Sequence, residues 1–166
     1  MRYALIAAVA AGLLLAAVAR TETAPKSSLV VKAEVMREVR AKGPDGKETV
    51  KYVPLVGTAN QGDILLFNIN YTNTSTAEEK NSDIIYVVPQ GSVFVEAGGA
   101  GAAVFVSIDR GERWARHPAT IRFKDSTGKI VEQPVAPETI THVRWVFDKP
   151  LAPGQTGTVT LKVRIK

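Results

Sequence analysis

Residues 139–166 read TITHVRWVFDKPLAPGQTGTVTLKVRIK, and they carry the clearest strand pattern in the chain. Apolar residues occupy every second position over residues 143–147 and again over residues 159–165. A period of two is typical of a half-buried β-strand. The intervening residues 151–154, LAPG, favour a turn. We therefore predict two strands here, over residues 139–147 and 156–166, with Trp145 in the core.

Short strand-like runs recur upstream, separated by Gly- and Pro-containing segments. Residues 42–47 favour a hairpin reversal, residues 84–88 read as a central strand, and residues 98–101 (GGAG) read as a loop. No sustained helical period follows residue 28. The chain is predicted to be an all-β, immunoglobulin-like antiparallel β-sandwich of about eight to ten strands. The other predicted strand cores are residues 29–35, 49–53, 64–71, 93–95, 103–108, 121–123 and 129–131.

The N-terminus resembles an export signal. Arg2 precedes an uncharged apolar run over residues 3–19, which ends in Ala17-Val18-Ala19, a pattern that signal peptidase cleaves. We predict a signal peptide over residues 1–19, a flexible leader over residues 20–28 and one domain over residues 29–166. An uncleaved membrane anchor is the alternative, because the run is only slightly shorter than a bilayer span. After cleavage no stable membrane span is expected.

Composition excludes several kinds of chemistry. The 166 residues contain no Cys, which excludes disulfides, thiol catalysis and cysteine-ligated metal centres. Lys and Arg total 21 against 16 Asp and Glu, so removing residues 1–19, with Arg2 their only charge, leaves 20 − 16 = +4. The basic residues are interleaved with acids and do not form a run with aromatics, so no nucleic-acid partner is expected.

Several segments together resemble a known family. The chain is similar to a single copy of the DUF11 family, the conserved repeat domain of bacterial and archaeal cell-surface proteins. The resemblance covers about residues 29–166 and implies an immunoglobulin-like sandwich in the cell envelope without enzyme activity. The segments that carry it are Gly62-Asp63, Asn73-Thr74, Pro89-Gln90-Gly91, residues 105–111, residues 141–145 and residues 151–159.

No constellation for catalysis or metal binding is evident. His117 and His142 lack a two-histidine ligand spacing, and we expect structural roles for both. Residues 109–112 (DRGE) and Asp45-Gly46 have too few oxygen ligands for calcium and are predicted to form turns. We predict no catalytic, cofactor-binding or metal-binding residue; an enzyme is the third hypothesis after the two given below.

Two features are candidates for interaction. Lys162, Arg164 and Lys166 share one face of the last predicted strand and could dock on an acidic surface, although such residues also keep a sheet face soluble and discourage edge pairing. Trp114 lies in a predicted loop, where it is either a plug of a satellite core or an exposed anchor for sugar or protein.

We expect a non-enzymatic exported protein of the periplasm or cell surface, with a structural, adhesion or assembly role. Its expected partner is an envelope protein, an acidic surface polymer or another copy, which would join by β-strand addition through the first and last strands. The alternative is a soluble periplasmic binding or accessory module that presents loops to a protein or glycan.

Overall fold

The computed structural model describes residues 29–166, so the predictions for residues 1–19 and 20–28 lie outside the described residues. The described chain forms eleven strands and one 3-10 turn, Pro137–Thr139. The strands are β1 (Leu29–Lys42), β2 (Glu48–Pro54), β3 (Ile64–Asn73), β4 (Asp83–Val87), β5 (Ser92–Gly99), β6 (Ala102–Ser107), β7 (Ala115–Arg116), β8 (Thr120–Lys124), β9 (Ile130–Pro134), β10 (His142–Phe147) and β11 (Thr156–Ile165).

The strands form three antiparallel sheets. The five-stranded sheet has the order β2-β1-β3-β11-β5, the four-stranded sheet has the order β4-β10-β6-β7, and β8 and β9 form a separate hairpin. One hydrophobic core contains residues of both larger sheets. The prediction of an all-β chain with antiparallel sheets is confirmed, and the arrangement is that of a β-sandwich.

Strict alternation builds the core. On β3, residues 65, 67, 69 and 71 are buried, whereas the residues between them are only half-buried. β10 and β11 alternate in the same way, and Trp145 is fully buried, as predicted. The Trp145 indole Nε1 donates a hydrogen bond to the carbonyl oxygen of Gly98 at 3.0 Å. Since β10 and β5 belong to different sheets, this bond joins the two layers inside the core.

The prediction that the last strand can act as an edge is wrong. β11 lies between β3 and β5 and pairs with both. Both sides of its backbone therefore already take part in the sheet, and no further strand can add to it. Its alternation of apolar and polar residues fixes which face is buried but carries no information about the number of neighbouring strands.

The prediction of a central strand over residues 84–88 is also wrong. β4 is an edge of the four-stranded sheet and pairs only with β10. Ile84 is buried, but Ile85 and Val87 are 52% and 55% exposed. The run is continuously apolar although only one of its faces meets the core, and this is why it resembled a strand buried on both faces.

Gly98 and Gly99 belong to β5, so the predicted loop over residues 98–101 is shortened to Ala100 and Gly101. A Cβ placed on Gly99 would lie 2.6 Å from Cγ1 of Val159, so only glycine permits this approach of β5 to β11. Gly99 thus serves close packing, while Ala100 and Gly101 carry the chain from one sheet to the other.

Asn73 is a buried polar junction at the end of β3. Its side chain is fully buried and donates hydrogen bonds to the carbonyl oxygens of Leu151 at 2.9 Å and Ala77 at 3.0 Å. Its Oδ1 accepts a hydrogen bond from the backbone N–H of Ser75 at 3.0 Å. One side chain thus fixes both the loop that follows β3 and the loop that precedes β11, far apart in sequence.

We expect Asn73→Ala to lower the free energy of unfolding by on the order of 2–3 kcal/mol, because the buried carbonyl group of Leu151 and the part-buried carbonyl group of Ala77 lose their donor. Urea denaturation measures the change. Asn70→Ala is the matched control: Asn70 lies on the other face of β3 and bonds only the exposed Thr158 hydroxyl, so its expected cost is under about 1 kcal/mol. Equal losses in the two variants would contradict the junction role.

Candidate interaction surface

One side of the sandwich is incompletely covered. Ala33 and Val31 of β1 lie in register with the buried Ile69 and Tyr71 of β3, so they share the core-facing side of the sheet. Both are nevertheless exposed. Within the strand predicted over residues 29–35, the inner face is therefore not buried at these two residues.

The cause is the unequal width of the two sheets. The five-stranded sheet has one more strand, and at its far edge β5 already contacts β6 and the 3-10 turn. The extra width therefore falls on the side of β1 and β2, beyond β4. We call this region the open step: the inner faces of β1 and β2, together with the unpaired edge of β4.

A loop covers the middle of the open step. The Arg37 guanidinium donates a hydrogen bond to the carbonyl oxygen of Thr58 at 2.9 Å and lies 3.3 Å from a carboxylate oxygen of Asp63. Leu55 and Ala59 of the same loop pack against the core. Val31 lies on the side of Arg37 away from the hairpin turn, and Val39 lies on the side toward it. Val53 of β2 lies directly beside Arg37, so uncovered apolar surface remains around Arg37.

The edge formed by β4 lacks the devices that usually prevent strand addition. Such devices include Pro, Lys, bulges and very short strands. β2 ends in Pro54, β5 has a register irregularity opposite Lys162 and Val163, and β7 has two residues. β4 has no Pro, Lys or bulge, and its one charged residue, Asp83, is paired with Arg144. Within residues 29–166 no strand pairs with its outer side.

Trp114 lies over the outward face of β10. Its ring meets the ring of His142 edge-on, with 6.5 Å between centroids, and the guanidinium carbon of Arg144 lies 5.8 Å from the Trp114 ring centroid. Arg144 in turn pairs with Asp83 at the start of β4. Trp114 is half-buried, so the structure combines the two predicted alternatives: one side packs, and the other remains accessible.

A small cavity adjoins Trp114. It has a volume of about 180 Å³ and lies between the loop after β6 and the β8–β9 hairpin. Its walls are mainly apolar and include Ile108, Ile121 and Val135, with Asp109 and Arg113 at the polar side.

Asp109 organises the loop that carries Trp114. Its carboxylate accepts hydrogen bonds from the backbone N–H of Arg113 at 2.9 Å and from the Ser107 hydroxyl at 2.8 Å. The bond from Arg113, followed by the one from Ser107, holds the pKa of Asp109 below its usual value of 3.8. Arg110 and Gly111 both have positive φ, which closes the predicted turn.

The three basic candidates at the C-terminal end, Lys162, Arg164 and Lys166, have different surroundings. Lys162 lies 3.3 Å from Glu96 and over the Tyr52 ring, and Tyr52 and then Glu96 raise its pKa. Arg164 is exposed on the same outward face. Lys166 lies beyond β11 beside a cleft that Arg110 also borders. One of the three charges is therefore already neutralised by an acid.

The two histidines take part in packing. His142 hydrogen-bonds the Thr141 hydroxyl at 3.0 Å, whereas His117 stacks edge-on against Phe94 and its buried Nδ1 has no partner in the described part of the chain. Over residues 29–166, no three Asp, Glu or His side chains lie close enough to hold a metal ion.

Comparison with family models, curated proteins and solved structures finds no match to this chain. The described residues contain no helix that is both long and apolar enough to cross a membrane.

We expect Asp109→Asn to lower the melting temperature at pH 7, because the ionised carboxylate accepts two hydrogen bonds in the folded chain. A lowered pKa stabilises the fold above the unfolded pKa, and this stabilisation is lost as pH falls through the folded pKa. The difference in melting temperature between variant and parent should therefore shrink below about pH 3.8. Asp148→Asn, at an exposed carboxylate, is the control and should leave the melting temperature at pH 7 unchanged.

Proposed function

We propose that the chain is a non-enzymatic, exported protein of the cell envelope, in which an immunoglobulin-like sandwich serves a structural, adhesion or assembly role. The export signal expected over residues 1–19 and the resemblance to the DUF11 repeat domain of cell-surface proteins support this proposal. The periplasm or the cell surface is the proposed location.

The unpaired edge of β4 is the observation that carries the proposal. An extended segment from another molecule can bond to the backbone groups of a free edge, and alternate side chains then give specificity. On β4 these groups belong to an apolar strand whose Ile85 and Val87 are more than half exposed. Assembly by strand addition is thus proposed at β4, in place of the last strand, which pairs on both sides.

Charge supports an envelope partner as well. The expected net charge of +4 after removal of residues 1–19 suits acidic surface polymers, and Arg164 and Lys166 are exposed basic residues. Lys162 contributes less to such attraction because Glu96 already pairs with it.

A second candidate function is a binding or accessory module. The half-buried Trp114 beside a cavity of about 180 Å³ favours it, since an aromatic side chain next to an apolar recess can anchor a glycan or a protein side chain. In that case the loop over residues 108–114 makes the contact and β4 is not required.

We expect Ile85→Lys to weaken assembly of residues 20–166, because a charge on the edge discourages strand addition. Light scattering across a concentration series gives the absolute mass. Val95→Lys adds the same charge at an exposed valine on the opposite edge strand, β5, and should leave the mass unchanged.

A strict monomer would contradict self-assembly and favour the second candidate. We then expect Trp114→Ala, but not Ile85→Lys, to abolish capture of a partner from envelope extracts. Capture that is unchanged in both variants would contradict both interaction surfaces.

A further inference from the structure

The two faces of β1 differ sharply in composition. The register with β3 places the odd-numbered residues on the inner face and the even-numbered residues on the outer face. The outer face carries five charged residues and is typical of a sheet surface in water. The inner face carries one, Arg37, which already pairs with Asp63. The outer residues are Val30, Lys32, Glu34, Met36, Glu38, Arg40 and Lys42; the inner residues are Leu29, Val31, Ala33, Val35, Arg37, Val39 and Ala41.

The inner face therefore has the composition of a buried surface but is only partly buried. The domain covers Val35 with its core and Arg37 with the 55–63 loop. Val31 and Val39 remain 41% exposed, and so does Val53 on the inner face of β2. An apolar strip next to an unprotected strand edge is a common signature of an interface.

We infer that a second copy of this chain covers the open step in a two-fold dimer. This inference rests on the self-assembly part of the proposed function and names its partner and surface. In each copy one layer is wide and the other narrow. A two-fold rotation about an axis that lies between the two layers packs the inner faces of β1 and β2 of one copy against the same faces of the other copy. It also brings β2 of each copy toward the free edge of β4 of the other, so both steps are filled by the same contact, used twice.

The exposed side chains at the two edges fit this contact. Val50 lies on the outer face of β2, at the sheet edge, and is 50% exposed, which is similar to Ile85 and Val87 of β4. When β2 of one copy approaches β4 of the other, these apolar residues become neighbours across the contact. Pro54, at the last position of β2, lies beyond Val50 and limits the contact to the residues before it. Lys51 lies on the inner face of β2 opposite Val39, and its long side chain can keep the ammonium group in water.

The area available for contact between the two copies sets the expected affinity of the dimer. Fourteen residues of β1 and seven of β2 span roughly 330 Å² per copy at 3.3 Å per residue and 4.8 Å per strand, and the core and the 55–63 loop already cover part of this strip. Two such strips and the two β4 edges remain below the roughly 1,200 Å² of a standard interface. We therefore expect a reversible dimer with a dissociation constant on the order of micromolar.

The test compares Val31→Lys with Val30→Lys in residues 20–166. These neighbours lie on the same strand and are 41% and 44% exposed, so the two substitutions impose similar costs on the fold, but the side chains occupy opposite faces. Sedimentation or light scattering over about 1–500 µM, a range chosen around the expected affinity, measures association. We expect Val31→Lys to weaken the dimer at least tenfold and Val30→Lys to leave it unchanged. Circular dichroism and melting temperature verify that both variants fold.

The remaining outcomes separate this inference from the function on which it rests. Equal effects of Val30→Lys and Val31→Lys, or a mass that grows beyond a dimer, would overturn the two-fold contact. If association is lost in Ile85→Lys but kept in Val31→Lys, strand addition at β4 stands and the contact through the inner face of β1 is wrong. A parent chain that stays monomeric over the whole concentration range overturns the dimer. If residues 31–33 are protected from hydrogen exchange only after envelope extract is added, the open step binds a different protein.

Discussion

The hydrogen bond from the Trp145 indole to the Gly98 carbonyl oxygen is the constraint on which the two layers depend. A fully buried indole N–H without an acceptor is costly, so Trp145 can fill the core only if β5 presents a carbonyl group at this point. The bond fixes the position of β5 relative to β10. It thereby also fixes which side of the five-stranded sheet is covered, because β5 is one edge of that sheet.

Two local features make this arrangement possible. Gly99 lets β5 approach Val159 of β11 more closely than any side chain would allow. Only Ala100 and Gly101 then separate β5 from β6, so the chain passes directly from one layer to the other beside the indole bond. With the layers aligned at this edge, the mismatch in strand number appears at the opposite edge. The open step thus results from the alignment of the two sheets at the β5–β6 edge.

The local sequence pattern was sufficient to predict most strands, but it was insufficient to predict the candidate interaction surface. β3, β10 and β11 were predictable because their alternation sorts side chains to two faces, and the hairpins were predictable from their Gly-containing turns. The order of strands in a sheet depends on pairings between distant residues, so neither the central place of β11 nor the edge place of β4 could be read locally. The alternation of β1 predicts that Val30 and Val31 lie on opposite faces. Their similar exposure could not be predicted, because it results from the relative width of the two sheets. Asn73 was visible only as part of a strand-end motif, because its partner Leu151 lies in another loop, 78 residues away.

The path of the chain through the five-stranded sheet has a mechanical consequence. Leu29 pairs with Asn73 at one end of β3, whereas Arg164 pairs with Ile64 at its other end. Tension applied to the polypeptide on either side of the domain therefore pulls β1 and β11 in opposite directions along β3. All the backbone hydrogen bonds of these two strand pairs are then loaded in shear and must fail together, whereas a hairpin pulled at its open end unzips one bond at a time. Such a domain resists extension along its strands, a useful property for any protein held between two anchoring points.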